Sequence, residues 1–562
     1  MNAADLFFGV TTLHLPHVDY TAILPELIAL GGSLVLLAAS ALSPRRLPHS
    51  FYASVTSGIG IASLIASLFL YHDVAAHGAF MAIAHSVNID GFAVFVLTLA
   101  SCVLIVAPMF AAGFLEREGI VGCEFYALAC VAVGGAMLMG TANDLILIFV
   151  SLEVLSIPLY ILAGLDHRRE GSAEAAMKYF LLGAFSSAIF VYGIALVYGA
   201  TGSTNLAEIA AFLAHNVLIS NGILYGGMAM LLVGFAFKVA AVPFHMWTPD
   251  VYQGSPTPAV GFMAAIAKVG GFAAFLRVFI STFPTLTDVW KPAVWVITLA
   301  TLLVGAIAAL VQRDVKRMLA YSSINHAGFI LLGLQAATVR GETASLYYLF
   351  VYTMLVLGSF GIIGVVGGLG DRGHRLERYR GLGRRRPVLA TCFALLLLGQ
   401  AGAPFTTGLF AKIYVVEAAA SAHSYVLAVV AMLSAAIAAF FYLRVVFLMF
   451  GETAAIETPA AEPAFAPESP LAPAFAGAGV PGPGGTLLAT AHPSPAVVPA
   501  GGALVSGDLR ADPEEVGAPS DAELVVSPWT WFGLALTLGV TIVLGIWPEP
   551  LVGFAHQAHL LF

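Results

Sequence analysis

Four charged side chains lie inside long apolar stretches of the sequence. Glu153 lies in DLILIFVSLEVLSIPLYILAG, while Lys238 and Lys268 lie in two runs that flank a loop rich in Pro, Gly and Tyr. Lys412 lies in APFTTGLFAKIYVVE. A charged residue in the middle of a membrane costs roughly 2.5–3.5 kcal/mol on insertion scales, and such residues usually have a function. We therefore predict that these four side chains carry protons.

Lysine suits a proton relay because an ammonium group without a counter-charge is unfavourable in a low dielectric. Such a group can exchange its proton near neutral pH, which a fixed structural cation would not need to do. The apolar stretches contain too few acids to neutralise Lys268 and Lys412 as well as the other lysines. Lys178, in AAMKYFLLGAF, is a further candidate, although a lysine this near a helix end can extend to the surface. For Glu153 the alternative is a buried ion pair with one lysine that only fixes helix packing.

Other polar residues accompany the four charges. Three of them lie beside helix ends or breaks and could pass protons or line a water path: His245, Asn325 and His326. A buried histidine is also often a hydrogen-bonded structural residue, so both roles stay open. Further charges lie close enough to helix ends to reach the surface: Asp144, Glu174, Glu417 and Arg444.

The composition places these residues in a membrane. Of 562 residues, 59% are hydrophobic and only 10% are charged, and the mean hydropathy is +0.92. Soluble domains contain about 25% charged residues, so this chain is predicted to be an all-α polytopic membrane protein. Four scattered cysteines without C-x-x-C spacing give no sign of a zinc or iron–sulfur site. No phosphate-binding loop or dinucleotide fingerprint occurs in a strand–helix setting, so the driving energy is expected to be bound elsewhere.

About fourteen stretches are long enough to cross a bilayer, since a span needs about 20 apolar residues. The predicted spans are 21–42, 51–71, 89–113, 120–140, 143–164, 173–199, 220–243, 257–281, 291–312, 317–337, 343–369, 387–416, 423–450 and 528–552. The N-terminus lacks the positive region of a signal peptide, so the first span is expected to remain in the mature protein.

Basic residues in the short loops predict the orientation, because such loops stay in the cytoplasm. Alternate loops carry most of them: Arg45, Arg46, Arg117, Arg168, Arg169, Arg313, Lys316, Arg317 and a dense run at 372–386. The opposite loops carry only Lys291 and Arg340, with Arg277 near a helix end. An even number of spans then places both termini on the periplasmic side.

Proline marks possible breaks in the spans. The peptide AAVPF at 240–244 is echoed by AGAPF at 401–405, and each proline removes a backbone donor. Paired broken helices in the two halves of a chain point to a transport path. Pro158 and Pro243 each follow a buried charge by five residues, so both are predicted to break their helices. Residues 452–527, rich in Ala, Pro and Gly, are predicted to form a disordered cytoplasmic loop, either a linker or a partner-binding segment.

The stretch GFAFKVAAVPFHMWTPDVYQGSPTPAVGFMAAIAKVGGFAAFLRV resembles the antiporter-like membrane subunits of respiratory complex I. DLILIFVSLEVLSIPLYILAG, QRDVKRMLAYSSINHAGFILLGL and GQAGAPFTTGLFAKIYVVEAA extend the resemblance over nearly all of residues 85–450. Within that group, AIAKVGG, YSSINHAGF and the lysine at position 412 are similar to subunit N of NADH-quinone oxidoreductase.

The resemblance implies two inverted five-helix repeats with broken helices. The implied divisions are N-terminal helices at 1–119, repeats at 120–281 and 291–450, the loop at 452–527 and a last helix at 528–562. It also implies site roles. Glu153 matches the acid of the first repeat, and Lys238 its broken-helix lysine. Lys268 matches the central lysine, Lys412 the broken-helix lysine of the second repeat, and Lys178 a further lysine on the cytoplasmic side.

On this resemblance we expect a proton-translocating subunit of NADH:quinone oxidoreductase in a bacterial inner membrane, driven by redox chemistry in sister subunits. The chain itself would bind no cofactor, while NADH, FMN, iron–sulfur clusters and quinone would bind to partner subunits of the membrane and peripheral arms. No nucleic acid is expected as a partner. Two alternatives stay open: a subunit of a multisubunit cation/proton antiporter, and a membrane scaffold whose charges only pack helices.

Overall fold

The computed structural model describes residues 18–44, 46–216, 221–451, 525–558 and 560. These residues form nineteen α-helices and one short antiparallel hairpin. Eleven of the described helices are long and apolar enough to cross a bilayer: α1 (Leu24–Leu42), α2 (His49–His77), α3 (Gly91–Glu118), α4 (Glu124–Thr141), α5 (Leu145–Ala163), α6 (Glu170–Thr201), α10 (Thr257–Leu276, continued by a π-helical turn to Thr282), α11 (Thr287–Leu310), α13 (Val339–Val366), α17 (Tyr425–Phe450) and α18 (Pro528–Ile546).

The remaining described helices are shorter or less apolar: α7 (Leu206–His215), α8 (Gly222–Lys238), α9 (Trp247–Gly254), α12 (Val315–Ala336), α14 (Leu382–Arg385), α15 (Pro387–Ala401), α16 (Thr407–Ser421) and α19 (Glu549–Gln557). The hairpin pairs β1 (Phe80–Ala82) with β2 (Val87–Ile89). Counting α12 and the interrupted pairs α8/α9 and α15/α16 as three spans, the described helices account for the fourteen predicted spans. The prediction of an all-α membrane fold is confirmed apart from the hairpin. The hairpin and the short helices α7, α9 and α19 were not predicted from the sequence.

Both proline-containing peptides, AAVPF at 240–244 and AGAPF at 401–405, interrupt a helix. Lys238 is the last residue of α8, and Pro243 lies in the gap before α9, after a cis peptide bond. α15 and α16 are separated by the gap 402–406, which contains Pro404. Proline lacks an N–H group and clashes with the preceding turn, so neither segment continues as one helix. The predicted pair of broken helices is confirmed, and the predicted single span at 387–416 is two helices.

α10 lies at the centre of the bundle. All of its residues are buried, and it packs against α3, α4, α5, α8, α12 and α13. Small residues allow this packing: a Cβ atom added at Gly271 would lie 3.0 Å from the side chain of Val239 and 3.2 Å from that of Lys238. The centre of α10 therefore touches the point at which α8 breaks.

The basic loops lie together at one end of the bundle, which we call the basic end. Arg168 donates to the carbonyl oxygen of Glu118 at 2.9 Å, and Arg169 contacts Asp371 at 3.1 Å. Arg444 lies in the last part of α17. It donates to the carbonyl oxygens of Leu310, at the end of α11, and of Gln312, just after it, at 2.9 and 2.7 Å. The loops that the sequence assigns to one side of the membrane are thus joined by their own hydrogen bonds.

The other end of the bundle, which we call the hairpin end, contains β1, β2 and the start of α13. Arg277, predicted only to lie near a helix end, is 1% exposed and makes two hydrogen bonds of 2.9 Å to Asp90. The amide of Leu560, the last described residue, donates to Glu342 at 3.0 Å.

Which end of the bundle faces the cytoplasm stays a prediction, as do the domain boundaries. Of the predicted loop at 452–527, residues up to 524 lie outside the described part of the chain, as does Arg45.

Candidate functional site

The four predicted charges lie on four different segments. Glu153 is on α5, Lys238 ends α8, Lys268 is in the middle of α10 and Lys412 is on α16. The three lysines are only 4%, 2% and 9% exposed, in that order. In the described part of the chain, no carboxylate oxygen lies within 4.0 Å of any of these ammonium nitrogens. Their charges are therefore not cancelled by ion pairs.

Glu153 and Lys238 each hydrogen-bond to a serine hydroxyl. Lys238 Nζ donates to Ser156 Oγ at 2.8 Å, and Glu153 Oε1 accepts a hydrogen bond from Ser187. Both serines and Lys238 line the same small cavity. The buried ion pair considered as the alternative for Glu153 is not formed among the described residues, and Ser156 is the side-chain hydrogen-bond partner of Lys238.

Pro158 does not break α5. The helix runs without interruption from Leu145 to Ala163, so this sequence prediction is wrong. A proline inside a membrane helix is tolerated where neighbouring helices hold the segment in place, and α4 and α6 both pack on α5. Of the two helices that carry Glu153 and Lys238, only the one with Lys238 is broken. A local rearrangement of the backbone is therefore expected beside Lys238 and not beside Glu153.

Lys268 is bonded to two backbone carbonyl groups. Its Nζ atom donates to Ser323 O at 2.7 Å and to Val239 O at 3.3 Å, and it lies 5.4 Å from the ring centroid of Tyr352. Val239 directly follows Lys238 in the gap after α8. The hydroxyl groups of Ser323 and Tyr352 are 2.8 Å apart. Lys268 thus adjoins the first broken helix on one side and a pair of hydroxyls on the other.

His326 continues the polar groups away from Lys268. Its Nδ1 atom lies 2.7 Å from the hydroxyl of Tyr348, and its Nε2 atom lies 3.0 Å from that of Tyr442. The ring centroid of His326 is 5.2 Å from that of Tyr352. Tyr442 donates to the side-chain oxygen of Gln400 at 3.1 Å. A neutral imidazole with one partner on each nitrogen can accept a proton on one side and release one on the other.

Lys412 lies at the far end of this series. Its Nζ atom donates to Ala401 O at 2.6 Å and is 5.3 Å from the ring centroid of Phe329. Ala401 directly follows Gln400, so the second helix break adjoins the chain from His326. The polar row, as we call the whole series, comprises Glu153, Ser187, Ser156, Lys238, Lys268, Ser323, Tyr352, His326, Tyr442, Gln400 and Lys412.

Lys178 lies outside the polar row. Its side chain is 43% exposed and forms ion pairs with Glu174 at 2.7 Å and Asp250 at 3.0 Å. Asp250 also binds Arg317 at 2.7 Å. Lys178, Glu174 and Asp250 border an open cleft of about 420 Å³ at the basic end. Of the five predicted site residues, Lys178 is the one that does not belong to the polar row.

The other polar candidates divide between the row and its surroundings. His326 belongs to the polar row. Asn325 donates to Leu302 O at 2.9 Å and to Ser434 Oγ at 2.5 Å, which joins α12 to α11 and α17. His245 is half-buried in the gap between α8 and α9. Asn325 therefore has a packing role, and His245 lies beside the first helix break.

Six side chains of the polar row were not predicted from the sequence: Ser156, Ser187, Ser323, Tyr352, Tyr442 and Gln400. The burial of Lys316 was not predicted either. Tyr352, Tyr442 and Gln400 occur in apolar runs, where a tyrosine also fits an ordinary core position. Lys316, which reads as a loop residue, is fully buried and donates to Ser255 O at 2.6 Å and to Asp371 at 3.3 Å. The one available signal was the polar pattern YSSINH on α12, which supplies Ser323 and His326.

Asp371 holds the helix ends together at the basic end. It lies in the loop after α13 and accepts hydrogen bonds from the amide and the hydroxyl of Thr257, the first residue of α10, at 3.1 and 2.7 Å. Burial by itself would raise the pKa of Asp371, but Lys316 and His374 hold that pKa well below its usual range. An ionised carboxylate there fixes the start of the helix that carries Lys268.

Comparison with known sequences gives a consistent set of relatives. The family described as NADH:quinone oxidoreductase/Mrp antiporter, TM, matches residues 142–438. NADH-quinone oxidoreductase subunit N of Acidothermus cellulolyticus is 42% identical over 465 residues, which are 79% of this chain and 89% of that protein. The subunit of the same name from Mycobacterium tuberculosis is 39% identical over 488 residues, covering 79% and 91%.

Comparison with solved structures finds the same fold. A chain of respiratory complex I from Thermus thermophilus with bound Aureothin has a TM-score of 0.70 and 29% identity, over 95% of this chain and 99% of that chain. A chain of the Mrp complex from Dietzia sp. has a TM-score of 0.73 and 20% identity, over 95% and 97%. At 20% identity, the match to the Mrp complex chain shows only that the fold is the same.

Proposed function

Because the chain belongs to the family of NADH-quinone oxidoreductase N subunits, we propose that it moves protons through the membrane arm of that complex along the polar row. The observation that carries this proposal is three buried lysines without carboxylate partners, joined by hydroxyl, imidazole and amide groups. A set of charges that only packed helices would be expected to form closed ion pairs, as Arg277 and Asp90 do.

Each contact in the row has a chemical role in this proposal. Glu153 and Lys238 bind neighbouring serine hydroxyls beside the first helix break, so a change of charge on one alters the proton affinity of the other. Lys268 receives the proton in the centre, and its neighbours Ser323 and Tyr352 lead to His326. The imidazole passes the proton toward Tyr442. Gln400 then orients that hydroxyl beside the second break, where Lys412 is the last lysine.

The energy for this transport would come from redox chemistry in partner subunits. The chain would act as a non-redox subunit, with NADH, FMN, iron–sulfur clusters and quinone bound by other chains of the membrane and peripheral arms. We assign it to a bacterial inner membrane, with the basic end in the cytoplasm and both termini in the periplasm. The cation/proton antiporter alternative predicts transport by the isolated chain, or dependence on sodium.

The central lysine provides the sharpest test. Lys268→Ala removes the titratable group, so proton pumping and the quinone reduction coupled to it should both fall while the complex still assembles. Lys268→Arg should also fail, since an arginine is effectively always protonated and cannot pass a proton on. The measurement is proton pumping in membrane vesicles, divided by the amount of assembled complex.

Lys291→Ala is the matched control, because Lys291 lies at the hairpin end and contacts only the carbonyl of Ala336 among described residues, at 3.5 Å. This variant should pump normally. A fully active Lys268→Arg variant would contradict the relay and favour charge compensation. If Lys268→Ala reduced only the yield of complex and left turnover per complex unchanged, the scaffold alternative would stand.

A further inference from the structure

A cavity of about 240 Å³ lies at the hairpin end, apart from the polar row. The start of α13, the last part of α16 and the short helix α19 line it, and no residue of the polar row does. One water molecule takes up about 30 Å³, so the cavity has room for a group of several non-hydrogen atoms. The polar side chains of its wall show what kind of group would fit.

The wall formed by α13 changes in character with depth. Arg340, Thr343 and Tyr347 are spaced by three and four residues, so they lie on one face of the helix. Arg340 is in the first turn, and Tyr347 lies about 10 Å further along the helix axis. The side chain of Arg340 is 69% exposed, whereas Thr343 is 6% and Tyr347 is 0% exposed. A cation therefore lies at the mouth of the cavity, and two hydroxyls lie deeper.

The wall formed by α16 has the same arrangement with the opposite charge. Glu417 is nearer to the end of α16 than Tyr414, which lines the cavity one turn deeper. The ring centroids of Tyr414 and Tyr347 are 5.2 Å apart. Glu417 Oε1 lies 3.9 Å from Arg340 Nη1, which is too far for a hydrogen bond. The mouth thus carries one group of each charge, and the two are not hydrogen-bonded to each other.

Two hydroxyls deep in the cavity have no hydrogen-bond partner among the described residues. They are Thr343 Oγ1 and the hydroxyl oxygen of Tyr347. Buried polar groups almost always have a partner, so an occupant of the cavity is expected to supply it. An occupant with several acceptor oxygens would satisfy both hydroxyls at once, because each of them can donate.

The charges at the mouth indicate that the occupant is a zwitterion. A phosphate group offers acceptor oxygens to both hydroxyls and to the guanidinium of Arg340, and His556 of α19, which also lines the cavity, adds a further donor. An anion alone would be repelled by Glu417. A group that carries an ammonium beside its phosphate satisfies this carboxylate as well. The ammonium must bear N–H groups, because a carboxylate only accepts hydrogen bonds.

Apolar residues beside the cavity indicate that this zwitterion belongs to a lipid. Ile413, which precedes Tyr414 on α16, is 47% exposed. Ile546 and Trp547, at the end of α18, are 68% and 64% exposed, and α18 packs against α16 and leads into α19. In a membrane such apolar side chains contact acyl chains, and tryptophan is enriched at the level of the headgroups. A soluble zwitterion would make no use of them.

We propose that this cavity binds the headgroup of a phosphatidylethanolamine lipid from the leaflet at the hairpin end. The phosphate accepts hydrogen bonds from Thr343, Tyr347 and Arg340. The ammonium donates to Glu417, and the acyl chains extend along the exposed faces of α16 and α18. Bound in this way, the lipid connects the start of α13 to the end of α16, the helix that carries Lys412. The proposal does not depend on the proposed function.

Photo-crosslinking in the assembled complex tests the site. The complex is placed in phosphatidylcholine nanodiscs that contain a small fraction of phosphatidylethanolamine with a diazirine in one acyl chain, and labelled peptides are identified by mass spectrometry. Peptides of α16 and α18 should be labelled. An excess of unlabelled phosphatidylethanolamine should reduce this labelling at least several-fold, while phosphatidylglycerol or inorganic phosphate should not. Displacement by phosphate would indicate a soluble anion, and equal displacement by both lipids an unselective lipid surface; each result would overturn the proposal.

Variants of the wall locate the site. Thr343→Val and Tyr347→Phe together remove both unpaired hydroxyls and should reduce labelling at least several-fold. Thr353→Val is the matched control, because its hydroxyl donates to Leu349 O within α13 at 2.7 Å, and it should be labelled like the wild type. Arg340→Gln changes an exposed side chain and should also reduce labelling, which keeps the test available if the double variant does not assemble. Unchanged labelling in these variants, or no labelling of α16 and α18 because a partner subunit covers the cavity, would overturn the proposal.

The choice of headgroup is tested at Glu417. Glu417→Gln keeps the shape of the side chain and removes its charge, so phosphatidylglycerol should then displace the probe as well as phosphatidylethanolamine does. If this variant still selected phosphatidylethanolamine as the wild type does, Glu417 would not hold the ammonium and the assigned headgroup would be wrong.

Discussion

The coupling between Glu153 and Lys238 is the property of the polar row that mutation can test most directly. Glu153→Gln removes the negative charge and keeps the shape of the side chain, while Lys238→Met removes the positive charge and keeps most of the volume. If the two charges act as one unit, each variant should nearly abolish pumping. The double variant should then be little worse than either single one, because residues that act together are strongly non-additive.

The distance between the groups sets the size of the effect. At about 4 Å and an effective dielectric of about 20, two unit charges interact by about 4 kcal/mol. Since these charges lie more than 4.0 Å apart, that energy is an upper limit, and at about 8 Å it falls to about 2 kcal/mol. Removing Glu153 should therefore change the balance between the charged and neutral lysine by roughly 30-fold to 1,000-fold. This range is large enough to turn a proton holder into a proton donor.

The assay is proton pumping in inverted membrane vesicles, normalised to assembled complex, for the two single variants and the double. Glu208→Gln is a matched control, because Glu208 also accepts a hydrogen bond from a serine, Ser203, at 2.6 Å, but is itself exposed. That variant should pump normally. Losses that simply multiply in the double variant, or normal pumping by Glu153→Gln, would refute the coupling and leave Glu153 a packing residue.

Three further predictions concern the row, the hairpin end and the orientation. Tyr442→Phe keeps the ring but removes the hydroxyl between the histidine and the glutamine of the row, so pumping should fall while stability changes by only about 1 kcal/mol; unchanged pumping would exclude this tyrosine from the relay. Arg277→Met leaves Asp90 buried without its cation, a loss of about 3–5 kcal/mol, so the melting temperature and yield of the extracted complex should drop, and an unaltered melting temperature would show that the pair is dispensable. In a chain without native cysteines, Glu170→Cys should react with an impermeant thiol reagent only in inverted vesicles and Asp288→Cys only in intact cells, and the opposite pattern would reverse the assigned orientation.

Local chemistry made a large part of the site predictable. Pro243 and Pro404 break their helices because a missing N–H group and a ring clash act within one turn, whatever surrounds them. Lys238, Lys268 and Lys412 stand out because few charges occur in apolar runs, so their burial follows from the sequence alone. The grouping of the basic loops at one end was also predictable, because successive spans cross the membrane in opposite directions and alternate loops therefore lie on the same side.

Contacts between distant segments explain what the sequence could not predict. Lys316 resembles several other loop cations in the sequence, and its burial depends on two distant partners, Ser255 and Asp371. Tyr442 enters the row because α17 places its hydroxyl against α12, and nothing in its own apolar run distinguishes it from a core tyrosine. The sequence predicts the same effect for Pro158 as for Pro243, but α5 continues past Pro158 with α4 and α6 packed on it.

The position of Val239 has a mechanical consequence. Its carbonyl oxygen accepts the hydrogen bond from Lys268, and its amide nitrogen is bonded to the carbonyl carbon of Lys238, so one residue of main chain connects the two lysines. A change in the backbone torsions of Val239 alters both the acceptor available to Lys268 and the direction in which the chain leaves Lys238. We therefore expect a movement at this break to change the surroundings of both lysines at once, without any contact between their side chains.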